Sequence, residues 1–566
     1  MTQSPLDGSG RKIGALETDL INSYTKGHLS RRQFVTRGSI MGLSVAFMGT
    51  IVAACGDDKD SGGTSGDGTS TGDSTGAAAG EIKQGGTLRI ASQKPGSPLD
   101  PVAMDNLGSY TPVVTAFEYL VGKGDGAALA PMLAESWSPN DDGSVWTFKL
   151  RSGVKWHDGK PFTSADVVAT LDRLAPGNLQ AYIVEGAAKA IDDLTVEVTL
   201  NAPDGQFPAQ LGVYNPQSVI TPADYVAGTT LDAKPNGTGP FKLDKFDIAT
   251  GATFVRNDEW WAGKPFLDKL EFIFSDSIDT QVTGLLGGAA DAIVQFSVQG
   301  GDAVLSNPDV TVESIRGSAH RMIWMNTREG NFTDVRVRQA VALGIDRQAL
   351  IDTVLKGKGD IGNDHPIAPV YEFWDSAQPQ RTRDIEKAKA LLKDAGKEGL
   401  KVTLVAPVLQ EIPQLAELIQ SQLKEIGMEV ELNVLPYEGY YDNWCKVYDS
   451  TVAPAGCDGG AEFGIVDYGN RATPDVFLVK AYATGEWNSA HYISEPFNAA
   501  VAEYQASLDL AGRKGPISTI QKTATEDVPY VIPYFYNSLT AYKKNVSGIV
   551  ATGLGHFYCG TAGFLA

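Results

Sequence analysis

The sequence predicts an α/β protein of two or three domains, one part built from parallel strands joined by helices and another richer in β-hairpins. Three observations carry this. At 566 residues the chain is longer than one compact core usually organises. Residues 402–435 read as strand, amphipathic helix and strand, a βαβ unit whose crossover should be right-handed and whose strands should be parallel. Residues 144–150 instead alternate strictly, with Trp146, Phe148 and Leu150 on one face, the pattern of a half-buried strand after the turn cluster Asn140-Asp141-Asp142-Gly143.

The elements follow in order. Folded sequence begins near Gln84, with a β-type run over 86–92. Another strand is predicted over 194–200. Asp334 can N-cap a helix that carries Val337, Val341, Ile345 and Val354 near one face and ends at Gly357. Asp384 caps a second helix, 385–395, stopped by Gly396. The βαβ unit comes next: strand 402–406, helix 412–426 stopped by Gly427, strand 429–435. No internal repeat is visible.

Before the body lies an address. Arg31-Arg32 precede an uncharged apolar stretch, 40–54, the mark of twin-arginine export. As a helix the stretch would span only ~22 Å, short of the ~30 Å hydrocarbon core, so it reads as a signal region and not a membrane span. It ends in Val52-Ala53-Ala54-Cys55-Gly56. Small residues before a cysteine are the pattern of a bacterial lipoprotein cleavage site, with Cys55 as the lipidated residue. Residues 56–80 are nearly all Gly, Ser, Thr and Asp and cannot bury enough surface to offset chain entropy. A flexible linker of 56–83 is expected, with a mean reach of roughly 25–30 Å over 56–80.

Composition narrows function. Apolar residues make up 42% and charged residues 20%, the balance of a globular protein. A net charge of −21, with no basic cluster after residue 40, repels phosphate backbones and excludes nucleic acid as a partner. Of the four cysteines, Cys55, Cys445, Cys457 and Cys559, none forms a C-x-x-C pair, so no structural zinc site or other metal is indicated. Outside the cytoplasm disulfides are permitted, and Cys445 with Cys457, 12 residues apart around Ala-Pro-Ala-Gly, is the favoured pair. Pairing of Cys559 with either remains open.

Several motifs together resemble the family 5 extracytoplasmic solute-binding proteins. Within 129–171 these are Leu129-Ala-Pro-Met-Leu-Ala-Glu-Ser-Trp137 and the run from Trp146 to Val168 containing Trp156-His-Asp-Gly159. Then come Gly237-Thr-Gly-Pro-Phe241, Pro265-Phe-Leu-Asp-Lys-Leu270, and Asp334-Val-Arg-Val-Arg-Gln-Ala340 with Gly344-Ile-Asp-Arg347, in the family's order. The resemblance implies a two-lobed periplasmic-binding-protein-like fold of type II, with a hinge and an extra subdomain. By that analogy lobe I is 84–111, 234–320 and 529–566, the extra subdomain is 112–233, and lobe II is 321–528. It implies a monomeric ABC-importer lipoprotein held outside the cytoplasm by its lipid. It would capture a small solute, a peptide above all, between its lobes and deliver it to permease subunits, with no cofactor and no catalysis. A sensor or adhesin of the same fold is the alternative; a secreted hydrolase lacks a convincing nucleophile and base.

Candidate ligand-binding residues follow from the same resemblance. Asp467, in Gly464-Ile-Val-Asp-Tyr468, stands where peptide-binding members place the aspartate that meets the ligand's α-amino group; Ile465 and Val466 replace the tryptophan usual in this run. Tyr110 falls in a segment that lines the cleft in relatives. Trp324, Tyr440 and Trp444 are candidate pocket aromatics, able to hold varied solutes by area and stacking. His157 beside Asp158 reads as turn packing rather than catalysis. Ser421-x-x-Lys424 fits an acyl-enzyme spacing by chance on a surface helix.

Overall fold

The computed structural model describes residues 81–566 apart from 105, 125, 441–443, 445–460 and 484–486. The signal segment, Cys55, most of the linker, and the Cys445–Cys457 pair lie outside the described residues.

Two mixed sheets of seven strands organise the body. The first runs in the order Val310–Ile315, Ser538–Lys543, Ala292–Phe296, Thr87–Ser92, Lys269–Phe274, Gly251–Arg256, Phe241–Asp247. Its centre is parallel: Thr87–Ser92 pairs with Lys269–Phe274 residue for residue. The second sheet runs Gly359–Ile361, Tyr534–Tyr536, His320–Met325, Phe463–Tyr468, Lys401–Pro407, Glu429–Leu435, with Tyr530–Val531 also on His320–Met325. A separate four-stranded antiparallel sheet comprises Ala134–Pro139, Val145–Leu150, Thr195–Thr199 and Ala188–Asp192.

Local chemistry explains these elements. In Val145–Leu150 the alternating Trp146, Phe148 and Leu150 are buried, so the period of two becomes one covered face. Lys401–Pro407, helix Ile412–Glu425 and Glu429–Leu435 form the βαβ unit, with Lys401 opposite Glu429 in a parallel ladder. Gly427, at φ +89°, supplies the left-handed turn that stops this helix. Asp384 caps helix Ile385–Asp394 by accepting from the Lys387 N–H at 2.9 Å.

The single helix predicted from Asp334 to Gly357 is two. Asp334 caps Val335–Gly344, the chain turns extended at Ile345, and Asp346 caps Arg347–Val354 through the Ala349 N–H. A second capping aspartate inside an apolar period ended one helix and began another.

The chain passes between the two large sheets twice. The first passage is 316–319, from Val310–Ile315 into His320–Met325; the second is Asn537, between Tyr534–Tyr536 and Ser538–Lys543. Tyr530–Val531 and Tyr534–Tyr536, which follow the boundary expected between 528 and 529, hydrogen-bond into the second sheet. Asn470 ties this region together. Its side-chain oxygen accepts from the N–H groups of Ser318 and Ala319 at 2.7 and 3.1 Å, and its amide donates to the Gly553 carbonyl at 2.8 Å.

Cys559 is a buried free thiol, so its pairing with Cys445 or Cys457 is not what the structure holds; burial pushes its pKa up. Among the described residues no helix is long and apolar enough to cross a membrane, and no cluster of side chains could hold a metal ion.

Candidate functional site

A cavity of about 450 Å³ takes its walls from distant parts of the chain. Tyr110 comes from helix Leu107–Ala116, Tyr182 and Tyr214 from the segments around the four-stranded sheet, and Arg471, Thr473 and Lys480 from the chain after Phe463–Tyr468. Its volume lies within the ~300–1,000 Å³ usual for small-molecule sites. A neighbouring cavity of about 470 Å³, walled by Trp137, Trp146, Tyr371 and Phe373, shares Ala472 and Thr473 with it. A larger depression of about 960 Å³ lies along the outer strand Glu429–Leu435 and contains Ser421 and Lys424. It is open, and its described lining comes from the second sheet, its crossover helix and their adjoining turns, without an aromatic side chain.

Tyr110 is held in place by aromatic neighbours. Its ring stacks on His556 at 5.9 Å with 15° between planes, and His556 stacks in turn on Tyr558. The Tyr119 hydroxyl is 2.9 Å from His556 Nε2, and Thr552 Oγ1 is 3.1 Å from Nδ1. Burial pushes the His556 pKa down to about 3, so this ring is neutral packing and not an acid.

Arg471 is positioned by its own backbone. Its N–H donates to Ser318 Oγ at 2.8 Å, and its carbonyl accepts from Ser318 Oγ and the Tyr371 hydroxyl at 3.0 and 3.1 Å. The guanidinium donates to the Asn470 carbonyl at 2.8 Å and stands 5.7 Å from the Phe477 ring centre. Among the described residues no carboxylate lies within ion-pair distance of it. Burial lowers its pKa, and the groups that raise it are the hydroxyls of Tyr371, Tyr110 and Tyr536.

Asp467 has a cation of its own. It faces Arg321 across paired strands, and Arg321 Nη1 donates to its Oδ1, which also accepts from the Tyr536 hydroxyl at 2.8 Å. Arg321 is fully buried; it also donates to both oxygens of Glu411 at 2.8 and 2.9 Å and lies 4.2 Å from the Tyr536 ring centre. The cationic partner that the sequence assigned to a solute is thus present inside the protein, and Asp467 is not among the residues lining the cavity.

Of the five expected ligand contacts, the structure brings only Tyr110 to the cavity. Trp324, Tyr440 and Trp444 come together elsewhere, in one apolar core. Trp324 has no exposed surface; its ring packs against Gly464, where a Cβ would lie 2.2 Å away, and meets Tyr440 edge-on at 6.3 Å. The placement of Trp324 has a plain cause. Every residue of His320–Met325 is buried, because this strand is covered on both faces and offers no open wall. Tyr182, Tyr214 and Arg471 line the cavity without having been expected there. For Arg471 the available signal was its position, four residues after Asp467.

His157 is structural, as its turn context implies. Nδ1 accepts from the Gly237 N–H at 3.2 Å and Nε2 donates to the Gly239 carbonyl at 3.0 Å, the neutral form that burial favours by pushing the pKa down to about 4. Gly237 itself is required: a Cβ there would lie 1.9 Å from the Ala116 carbonyl oxygen.

Comparison with known proteins places this architecture. The bacterial extracellular solute-binding proteins, family 5, match over residues 128–461, more than half of the chain. A di/tripeptide-binding protein of Pseudomonas aeruginosa is 30% identical over 415 residues, 66% of this chain and 75% of that protein. Heme-binding protein A of Haemophilus influenzae is 28% identical over 411 residues, 66% of this chain and 73% of that protein. Among solved structures, HbpA2 of Haemophilus parasuis superposes with a TM-score of 0.74 at 23% identity, covering 85% of this chain and all of that one. The likeness in structure shows a shared two-lobed α/β fold.

Proposed function

Because the chain belongs to the bacterial extracellular solute-binding proteins of family 5, we propose that it captures a peptide or peptide-like solute between its lobes and delivers it to the membrane subunits of an ABC importer. The observation that carries this reading is the cavity whose walls come from Tyr110, Tyr182 and Tyr214 on one side and Arg471 and Thr473 on the other. Relatives named as dipeptide- and di/tripeptide-binding proteins support the solute class. A solute touching both walls binds the shut form better than the open one, which is how capture becomes closure.

The reading is of a monomeric binding protein and not an enzyme. The described lining of the cavity offers tyrosines, amides, a threonine and two cations, a set suited to holding a solute. Export through the paired arginines and lipidation at Cys55 would keep the body near the permease. Aromatic area comes from Tyr110 and its neighbours, while Asp467 is engaged by Arg321 and Tyr536 outside the cavity lining.

Uptake tests the reading. Deleting the gene is expected to abolish import of labelled di- and tripeptides, and a Cys55→Ala copy is expected to release the protein from the membrane fraction. Unchanged uptake in the deletion strain, with peptide still bound by the purified protein, would favour a sensor instead.

A further inference from the structure

The charges around the cavity narrow the solute further. Its described lining includes Arg471 and Lys480 and no carboxylate. Two carboxylates act electrostatically on the wall residue Tyr182, Asp204 and Asp475; burial pushes the pKa of both up, that of Asp475 to about 6, and the nearby charge of Arg513 works against that rise. Asp475 is buried and accepts from the Tyr504 hydroxyl at 3.4 Å. Asp467 and Glu411 share Arg321. Each of these acids already has a cation near it, whereas Arg471 has no acidic partner among the described residues.

A shielded guanidinium without a counter-charge is costly unless something supplies one. Arg471 uses one donor on the Asn470 carbonyl, and its planar fork leaves further N–H groups for a planar anion. Its backbone is clamped by Ser318 and Tyr371, so the fork is set before the solute arrives. Tyr110, stacked on His556, adds a hydroxyl and a flat face nearby.

We propose that Arg471 is the specificity-determining anchor of the cleft, and that the solute is a small carboxylate-bearing molecule whose anionic group, not an ammonium, is what the protein selects. This rests on the reading of the cavity as the solute site. It differs from simple peptide capture in what it expects of the two ends. Loss of the acid end abolishes recognition, while masking of an amino end is tolerated, because the described lining presents no carboxylate to receive it.

The test is a panel of di- and tripeptides and small monocarboxylates, each offered as free acid and as primary amide. The peptides are also offered N-acetylated. Binding to the exported body is read by thermal shift and calorimetry. Free acids are expected to bind at least 100-fold more tightly than their amides, and N-acetylation is expected to change affinity less than about 5-fold. Arg471→Gln should level acid and amide while leaving the far-ultraviolet spectrum and unfolding midpoint in place. Equal binding of acid and amide, absence of any acid-selective binding across the panel, or selectivity retained in Arg471→Gln would each overturn the proposal. Ala472→Trp, which fills the shared wall of the two cavities, separates this from failure of the cavity reading itself. If acids still bind that variant with full affinity, the site lies elsewhere.

Discussion

Arg321 and Asp467 are register partners on antiparallel strands and are joined by a hydrogen-bonded ion pair in the second sheet. The same guanidinium grips Glu411, and the Tyr534 hydroxyl donates to Glu411 Oε1 at 3.0 Å. One buried cation thus binds two acids and lies against an aromatic ring. Removing it should be severe. Arg321→Met is expected to cost about 3–5 kcal/mol, because two shielded carboxylates lose their partner. Asp467→Asn should cost less, about 1–2 kcal/mol, since Glu411 keeps the arginine paired. Urea unfolding of the two variants checks the order.

Glu118 should give the protein a pH-dependent stability. It is buried and accepts from the indole N–H groups of Trp260 and Trp261, and burial pushes its pKa up to about 7 despite those bonds. Between about pH 4.5 and 7 the folded state therefore holds a proton that the unfolded chain has released. Stability falls as pH rises through that window and levels off above it. The contribution is about 3 kcal/mol at most. Glu118→Gln is expected to flatten this part of a stability–pH curve measured by denaturant midpoints. An unchanged slope would contradict the account.

Four desolvated histidines act in the opposite direction. Desolvation pushes His157 and His365 down to about 4 and His320 and His556 to about 3. Below about pH 6.5 the unfolded chain takes up protons that these rings refuse, so their stabilisation is present above 6.5 and is lost as pH falls towards 3–4. His320 is the ring to change, as it lies among Tyr468, Phe477, Tyr482 and Phe535. His320→Phe is expected to unfold at lower pH relative to its own neutral-pH stability, read by circular dichroism along an acid titration.

Arg513 should hold the lips of the cleft together. It donates to the Gly205 carbonyl at 2.9 Å, linking helix Leu510–Asp527 to the loop after the four-stranded sheet, and the Gln206 side-chain oxygen accepts from the same guanidinium. Arg513→Ala removes charge-assisted bonds worth about 1.5–3 kcal/mol. Solute dissociation is expected to accelerate roughly tenfold with association little changed, measured by stopped-flow fluorescence.

Much of this architecture was legible because local rules and long-range packing agree. Trp146, Phe148 and Leu150 alternate because one face of their strand is covered, and the βαβ unit from Lys401 to Leu435 carries its own period and stops. The helix break at Ile345 was hidden because Val337 through Val354 keep one apolar period across it. The fate of Trp324 was hidden because sequence shows that a strand is apolar and not which of its faces a distant helix covers. Arg471 was illegible for a related reason. An arginine in a loop is ordinarily solvated, and only the fold shows that this one is desolvated beside the hydroxyls of Tyr371, Tyr110 and Tyr536. The paired state of Asp467 likewise depends on a cross-strand register that the sequence does not display.

The central claim is that the cavity between Tyr110 and Arg471 holds the solute. Native mass spectrometry of protein purified from its own host, alongside Ala472→Trp purified identically, tests it most directly. The account predicts one small-molecule equivalent on the unaltered protein and none on the variant, with both folded. The same solute retained on Ala472→Trp at equal occupancy would contradict it.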